Sequence, residues 1–169
     1  MAVFRDWDEL KRVVDADRAA GKRIVFTNGC FDLLHAGHVH LLIQARELGD
    51  VLVVAINSDD SVREVKGPDR PVVGEDDRAF ILDALKPVDH VVIFTQADPI
   101  ALLEFLRPDV LVKGDEYSVA EIVGSDLVLG YGGEVRPVSF RPNRSSSVLV
   151  EQIRQRGRER DTAAAGENQ

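Results

Sequence analysis

Residues 23–49, RIVFTNGCFDLLHAGHVHLLIQARELG, decide the fold. Ile24, Val25 and Phe26 make a short, branched apolar run of the kind that forms a buried strand. Thr27, Asn28 and Gly29 interrupt it where a tight turn fits. After His35, Gly37 and His38, the apolar residues Val39, Leu41, Leu42, Ala45 and Leu48 recur at helical spacing. The stretch therefore reads strand, glycine turn, helix. The unpaired amides that open such a helix form an anion site. His35 and His38 fall on one side of its first turn, and Gly37 leaves no side chain in a ligand's way. Two imidazole donors beside positive helix-end amides suit a phosphate that gains charge as it reacts. A His-x-x-His pair alone more often caps a helix; the strand and turn before it are what favour the phosphate.

Outward from this stretch, strands and helices alternate. Residues 7–20 carry Trp7, Leu10, Val13 and Val14 at helical spacing, with Gly21 as a stop. Gly21-Lys22 lacks the upstream glycine and following hydroxyl of a phosphate loop, and residues 27–38 lack Gly-x-Gly-x-x-Gly. Val51–Ile56 is a continuous apolar run suited to a central parallel strand. Asn57, Ser58, Asp59 and Asp60 follow at its carboxyl end, where open α/β sheets bind ligands; Ser58 or Asp59 equally suits a helix cap. Residues 64–78 read as an irregular loop punctuated by Gly67, Pro68, Pro71 and Gly74, and Arg78 falls in the next helix. Val88–Phe94 reads as a strand with His90 inside it, in a structural role. A helix over Pro99–Leu106, a strand over Asp109–Gly114, a short helix over Ile122–Tyr131 and an edge strand over Glu134–Phe140 complete the sheet. Ser145, Ser146 and Ser147 precede a last helix over Val148–Arg156, forming a second anion site. The expected fold is a doubly wound, Rossmann-like α/β domain over residues 1–156 with a mostly parallel five-stranded sheet. The charged, aperiodic residues 157–169 read as a flexible tail.

Composition bounds the function classes. With 169 residues, 44% hydrophobic and 30% charged, the chain suits a single globular domain. A net charge of −8 argues against bulk nucleic-acid binding while leaving room for a local nucleotide pocket. Cys30 is the only cysteine, so no internal disulfide forms and a reducing, cytoplasmic setting is expected. Cys30 itself reads as a small buried turn residue rather than a nucleophile. No signal peptide and no apolar run of membrane-spanning length is visible, so no membrane association is expected.

Residues 27–38, TNGCFDLLHAGH, resemble the signature of the nucleotidylyltransferases with the His-x-Gly-His motif. More narrowly, residues 20–156 resemble the adenylyltransferases that join D-glycero-β-D-manno-heptose 1-phosphate to AMP, giving ADP-heptose. The resemblance implies catalytic roles for His35, His38 and Lys66. It implies nucleotide contacts by Thr27, Asn28, Gly29, Phe31, Asp32, Gly37, Lys113, Arg144, Ser145, Ser146 and Ser147. On the substrate side it implies Asn57, Asp59, Arg70, Arg78, Asp115 and Glu116, with Lys66, Arg70 and Arg78 holding the pyrophosphate end. The family run Val-Lys-Gly-Gly-Asp-Tyr has Asp115 in place of its second glycine and Glu116 in place of its aspartate here. Asn143 replaces the glycine of the family block Gly-Arg-Ser-Thr-Thr. Mg²⁺ is expected on the triphosphate of ATP rather than in a protein cage. A homodimer and a separate sugar kinase supplying the acceptor are also implied. Three alternatives stay open: a cytidylyltransferase acting on glycerol 3-phosphate or a similar alcohol, a nucleotide-binding module without catalysis, and a metal site built from Asp32, His35 and His38.

Overall fold

One parallel sheet organises the described residues, which are 3–114, 118–139 and 149–156 of this computed structural model. Its strands are β1 (Val3–Phe4), β2 (Ile24–Gly29), β3 (Val51–Asn57), β4 (His90–Phe94), β5 (Val110–Gly114) and β6 (Glu134–Val138). They lie in the order β1-β4-β3-β2-β5-β6. The five strands expected are therefore six, and every pairing among them is parallel. The additional strand is the two-residue β1, which pairs Val3 with Val91 and Phe4 with Val92. Two residues, one exposed and one buried, are too few for a period to register.

β3 is buried at all seven positions, as a central parallel strand with both faces covered must be. Alternation along β2 then divides the core. Ile24 and Phe26 face a cluster with Leu10 and Val14 of α1 (Trp7–Ala19), Leu102, Leu103 and Leu106 of α5 (Ile100–Leu106), and Val128 of α6 (Ser125–Gly130). Val25 faces the opposite cluster, with Leu41, Leu42 and Ala45 of α2 (Ala36–Arg46) and Ala79 and Leu82 of α4 (Glu75–Asp83). Fully burying one such leucine contributes roughly 1.5–3 kcal/mol.

The chain runs from β2 through β3 to β4 on one side, then crosses to β5 and β6 on the other. The order thus reverses between β2 and β5, and open α/β sheets bind ligands beyond the strands' carboxyl ends at such a reversal.

Three local readings change. His90 opens β4 instead of lying within it; its Nε2 is 3.3 Å from Asp17 Oδ2 and its ring packs edge-on against Phe4. The helix expected over Ile122–Tyr131 is the shorter α6, preceded by a 3-10 turn, Val119–Glu121, because Gly124 at φ +88° turns the chain between them. A Cβ there would lie 2.3 Å from Leu103 Cδ1, so only glycine fits. β6 ends at Val138 and, paired only with β5, is the edge that Pro137 requires. Phe140, the hydroxyl run around Ser145–Ser147 and the tail 157–169 lie outside the described residues. Among the described residues no helix is long and apolar enough to cross a membrane.

Candidate active site

The carboxyl end of β2 leads into a turn that requires two unusual backbone choices. Phe31 adopts φ +45°, and a Cβ on Gly29 would come within 3.2 Å of the Phe31 ring. Glycine lets the Phe31 side chain fold back over the strand end and into the α2 side of the core. His35 then caps α2 in extended conformation, and its Nδ1 accepts a hydrogen bond from the Gly37 amide at 3.1 Å. Accepting at Nδ1 places the proton of the neutral ring on Nε2. The His38 ring stacks on His35 with centroids 3.9 Å apart, and Phe31 packs on His38 at 5.1 Å. Burial, with the neighbouring His35 adding to it, lowers the His38 pKa to about 4. At neutral pH His38 is thus an uncharged imidazole, and its Nδ1 is buried with no partner among the described residues.

The helix-opening amides differ in one respect from the sequence expectation, since the Gly37 amide is already bound by His35.

Around this turn the basic residues converge. Burial pushes the Cys30 thiol above its usual pKa, and the charges of Lys66, Arg78, Lys113 and Arg70 act on it in the opposite sense. Lys66 ends α3 (Asp59–Lys66) and is exposed. Lys113 Nζ reaches across from β5 and donates to the Asn28 carbonyl at 2.7 Å. Arg70 donates through Nε to Asp32 at 2.6 Å; the Asp32 side chain is 1% exposed. The other Asp32 oxygen accepts from the Val72 and Val73 amides at 2.8 and 2.9 Å. Asp32 therefore holds the loop of residues 67–74 against the histidine turn.

Arg78 is fully buried. Its guanidinium donates to the carbonyls of Val73, Cys30 and Asn57 and to Asp59 Oδ1. The one side chain thus joins the loop, the turn and the end of β3. Asn57 donates to Ser61 Oγ at 2.9 Å and to the Gln96 carbonyl at 3.4 Å, and Ser58 caps α3 through the Ser61 amide. Of the two readings open for residues 57–60, the cap is what Ser58 does, while the carboxylate of Asp59 faces Arg78. Thr27 is buried, its hydroxyl donating to the Val112 carbonyl, and Gly37 is buried at the start of α2.

The structure thus brings His35, His38, Phe31, Asp32, Asn28, Lys66, Arg70, Arg78 and Lys113 around one strand end. Asp115, Glu116, Arg144, Ser145, Ser146 and Ser147 lie outside the described residues. Sequence reading missed the Val72 and Val73 amides, Ser61 and Gln96, whose roles arise from partners with no local pattern. Among the described residues no group of three or more His, Cys, Asp or Glu side chains is placed to hold a metal ion. Asp32, the carboxylate of the imagined metal set, is occupied by Arg70 and two amides, so the donor set does not fit a resident cation.

Residues 26–152 match the family described as cytidylyltransferase-like. The chain is 51% identical over 153 residues to the bifunctional protein HldE of Geotalea uraniireducens, covering 90% of this chain and 31% of that protein. It is 53% identical over 147 residues to HldE of Hahella chejuensis, covering 87% and 31% respectively. The chain therefore spans about a third of the length of these curated relatives. Among solved structures, the lipopolysaccharide core biosynthesis protein from Thermoplasma volcanium superposes with TM-score 0.59 at 29% identity, over 72% of this chain and 98% of that one. Pantothenate synthetase from Thermus thermophilus superposes with TM-score 0.57 over 82% of this chain and 62% of that one; at 17% identity it shares the fold alone.

Proposed function

The chain belongs to the cytidylyltransferase-like family, and from that premise we propose that it transfers AMP from ATP to a sugar 1-phosphate. The acceptor favoured is D-glycero-β-D-manno-heptose 1-phosphate, giving ADP-heptose and pyrophosphate. The support is the 51% identity to HldE together with the resemblance of residues 20–156 to the heptose adenylyltransferases. An oxygen of the sugar phosphate attacks the α-phosphorus of ATP. The bond from that phosphorus to the bridging oxygen breaks, and its electron pair leaves with pyrophosphate. A phosphate nucleophile is already ionised near neutral pH, so positioning and charge stabilisation suffice.

The observation that carries the proposal is the stacked imidazole pair at the opening of α2, with His38 uncharged at neutral pH. In this reading His35 and His38 donate hydrogen bonds to the α-phosphate and the departing oxygen. Lys66, exposed at the loop edge, and Lys113 neutralise the triphosphate. Arg70 shares its charge between Asp32 and the pyrophosphate side, and Arg78 is a positioning residue acting through the loop it holds. Thr27, Gly29, Phe31, Asp32 and Gly37 shape the phosphate turn, and Asn57 and Asp59 fix the end of β3. The family resemblance assigns β- and γ-phosphate contacts to Arg144 and Ser145–Ser147 and the sugar side to Asp115 and Glu116, all outside the described residues. ATP enters as its magnesium complex, so the cation belongs to the substrate. The wider setting we propose is a cytoplasmic homodimer supplied by a sugar kinase activity.

The test is pyrophosphate release measured with each nucleoside triphosphate against heptose 1-phosphate and glycerol 3-phosphate. Turnover with ATP and the heptose supports the proposal. Turnover with CTP and glycerol 3-phosphate instead transfers the assignment to the second reading, with which the family's description is also compatible. Tight ATP binding without pyrophosphate release under every pairing would make the protein a binding module.

A further inference from the structure

We propose that Asn28 is a specificity-determining residue, whose carboxamide oxygen accepts a hydrogen bond from a sugar hydroxyl bound beyond the carboxyl ends of β2 and β5. This rests on the nucleotidyl-transfer reading above.

Asn28 Oδ1 is buried and has no hydrogen-bond partner among the described residues. Burying an acceptor without a partner costs about 1–3 kcal/mol, so an atom in this state at a ligand-binding strand end calls for a partner. Its position is informative. Asn28 stands at the carboxyl end of β2, beside the point where strand order reverses. Its own carbonyl is already fixed by Lys113 Nζ, which links the carboxyl ends of β2 and β5.

The chemistry of the missing partner follows from the atom. An acceptor cannot pair with a phosphate oxygen, which also lacks a proton at the reacting stage. The partner is therefore an O–H or N–H donor. The face narrows it further. Strand alternation puts the Asn28 side chain on the face of Phe26, toward α1, α5 and α6. The imidazole pair belongs to α2, whose apolar side packs the opposite face. Phosphate chemistry over the histidines and the Asn28 acceptor thus lie on either side of the β2 end. A group on the same substrate within a few bonds of the transferred phosphates can span that gap. A sugar hydroxyl has that reach, whereas a base amino group lies beyond the ribose.

The experiment compares kcat/KM for wild type, Asn28→Ala, Asn28→Leu and Asn28→Asp, each checked for folding by thermal melting. The substrates are ATP and heptose 1-phosphate, singly deoxygenated heptose 1-phosphates, 2′-deoxy-ATP, 3′-deoxy-ATP and ITP. The expected result is that wild type disfavours one sugar-deoxy analogue by roughly 10- to 100-fold, the scale of leaving a buried polar group unpaired. Asn28→Ala and the near-isosteric Asn28→Leu lose that discrimination, while Asn28→Asp, which keeps an acceptor, retains it even if its overall rate falls. Which analogue responds tells acceptor sugar from ribose. Equal penalties in wild type and in whichever of the Ala and Leu variants folds would overturn the inference, as would coupling to ITP alone. Should wild type turn over no sugar phosphate, the function reading fails by itself. Affinities of wild type and Asn28→Leu for ATP and its deoxy analogues then decide the Asn28 inference separately, loss of discrimination supporting it and additivity overturning it.

Discussion

The rings of His35 and His38 lie face to face, 3.9 Å between centroids and 22° from parallel. At that separation two imidazolium charges would repel strongly, and burial adds to the cost of charging His38. In the proposed function His38 therefore meets a nucleotide as an uncharged hydrogen-bond donor stacked on His35. In the proposed reaction, negative charge accumulating on the phosphate would strengthen both contacts in the transition state more than in the ground state.

Replacing His38 by alanine is expected to lower kcat by roughly 100- to 1,000-fold, the scale for losing one transition-state donor. Circular dichroism should show a folded protein, and single-turnover pyrophosphate release gives the rate. A variant that keeps near-normal turnover would remove the imidazole pair from the mechanism.

The lowered His38 pKa also links stability to pH. The folded ring resists protonation down to about 4, whereas the unfolded ring takes a proton near 6.5. Between those values the unfolded state binds more protons, so this residue's contribution to stability falls as pH drops from about 6.5 to 4. Urea unfolding across that window should show His38→Gln with the shallower slope, the difference from wild type amounting to roughly 2–3 kcal/mol across the window. Parallel slopes would place the ring in a more solvated environment.

Arg78 and Lys66 are both basic and act on the same turn, yet they should fail differently. Arg78→Met leaves three carbonyls and the Asp59 carboxylate without their donor, and a loss on the order of 3–5 kcal/mol is expected. Arg78→Lys should recover little, since one ammonium cannot serve acceptors in several directions. Lys66→Ala, at an exposed position, should leave the melting midpoint within about 1 °C and raise the KM for ATP about tenfold. Denaturant melts and initial rates on the three variants distinguish these outcomes.

Asp32→Asn weakens the pair with Arg70 and puts an amide beside the Val72 and Val73 N–H groups. The loop should then open more often, and trypsin should cut Lys66–Gly67 several-fold faster under native conditions. The Arg70–Pro71 bond, preceding proline, serves as an internal uncut reference. A double-mutant cycle with Arg70→Ala should give a coupling of about 1–3 kcal/mol. Unchanged cleavage would mean that Asp32 does not hold the loop.

The strand, turn and helix of residues 23–49 were legible in the sequence because each signal there is local: branched apolar residues, a glycine, then helical spacing. β3 was legible for the same reason. β1 was not, because its two residues acquire meaning only from Val91 and Val92 on a distant strand. The site divides likewise. The histidines announced themselves through spacing, but Asp32 gives no hint of a partner 38 residues away. Arg78 lies in a charged stretch, EDDR, that reads as a solvated helix start; its burial follows from the carbonyls of Cys30, Val73 and Asn57 converging on one point. Charge reads directly from composition, whereas the acceptors that enclose it do not.

The bond from Lys113 to the Asn28 carbonyl spans 85 residues, and β5 closes the flank of β2 left open by β3. A nascent chain emerging from the ribosome exposes both histidines and the basic loop long before residue 110 appears. Until β5 docks, one edge of β2 lacks its hydrogen-bonding neighbour and the phosphate turn has only half its supporting wall. Nucleotide capture therefore awaits the emergence of β5, and an ATP analogue added to stalled chains of increasing length would register completion of the sheet rather than emergence of the histidines.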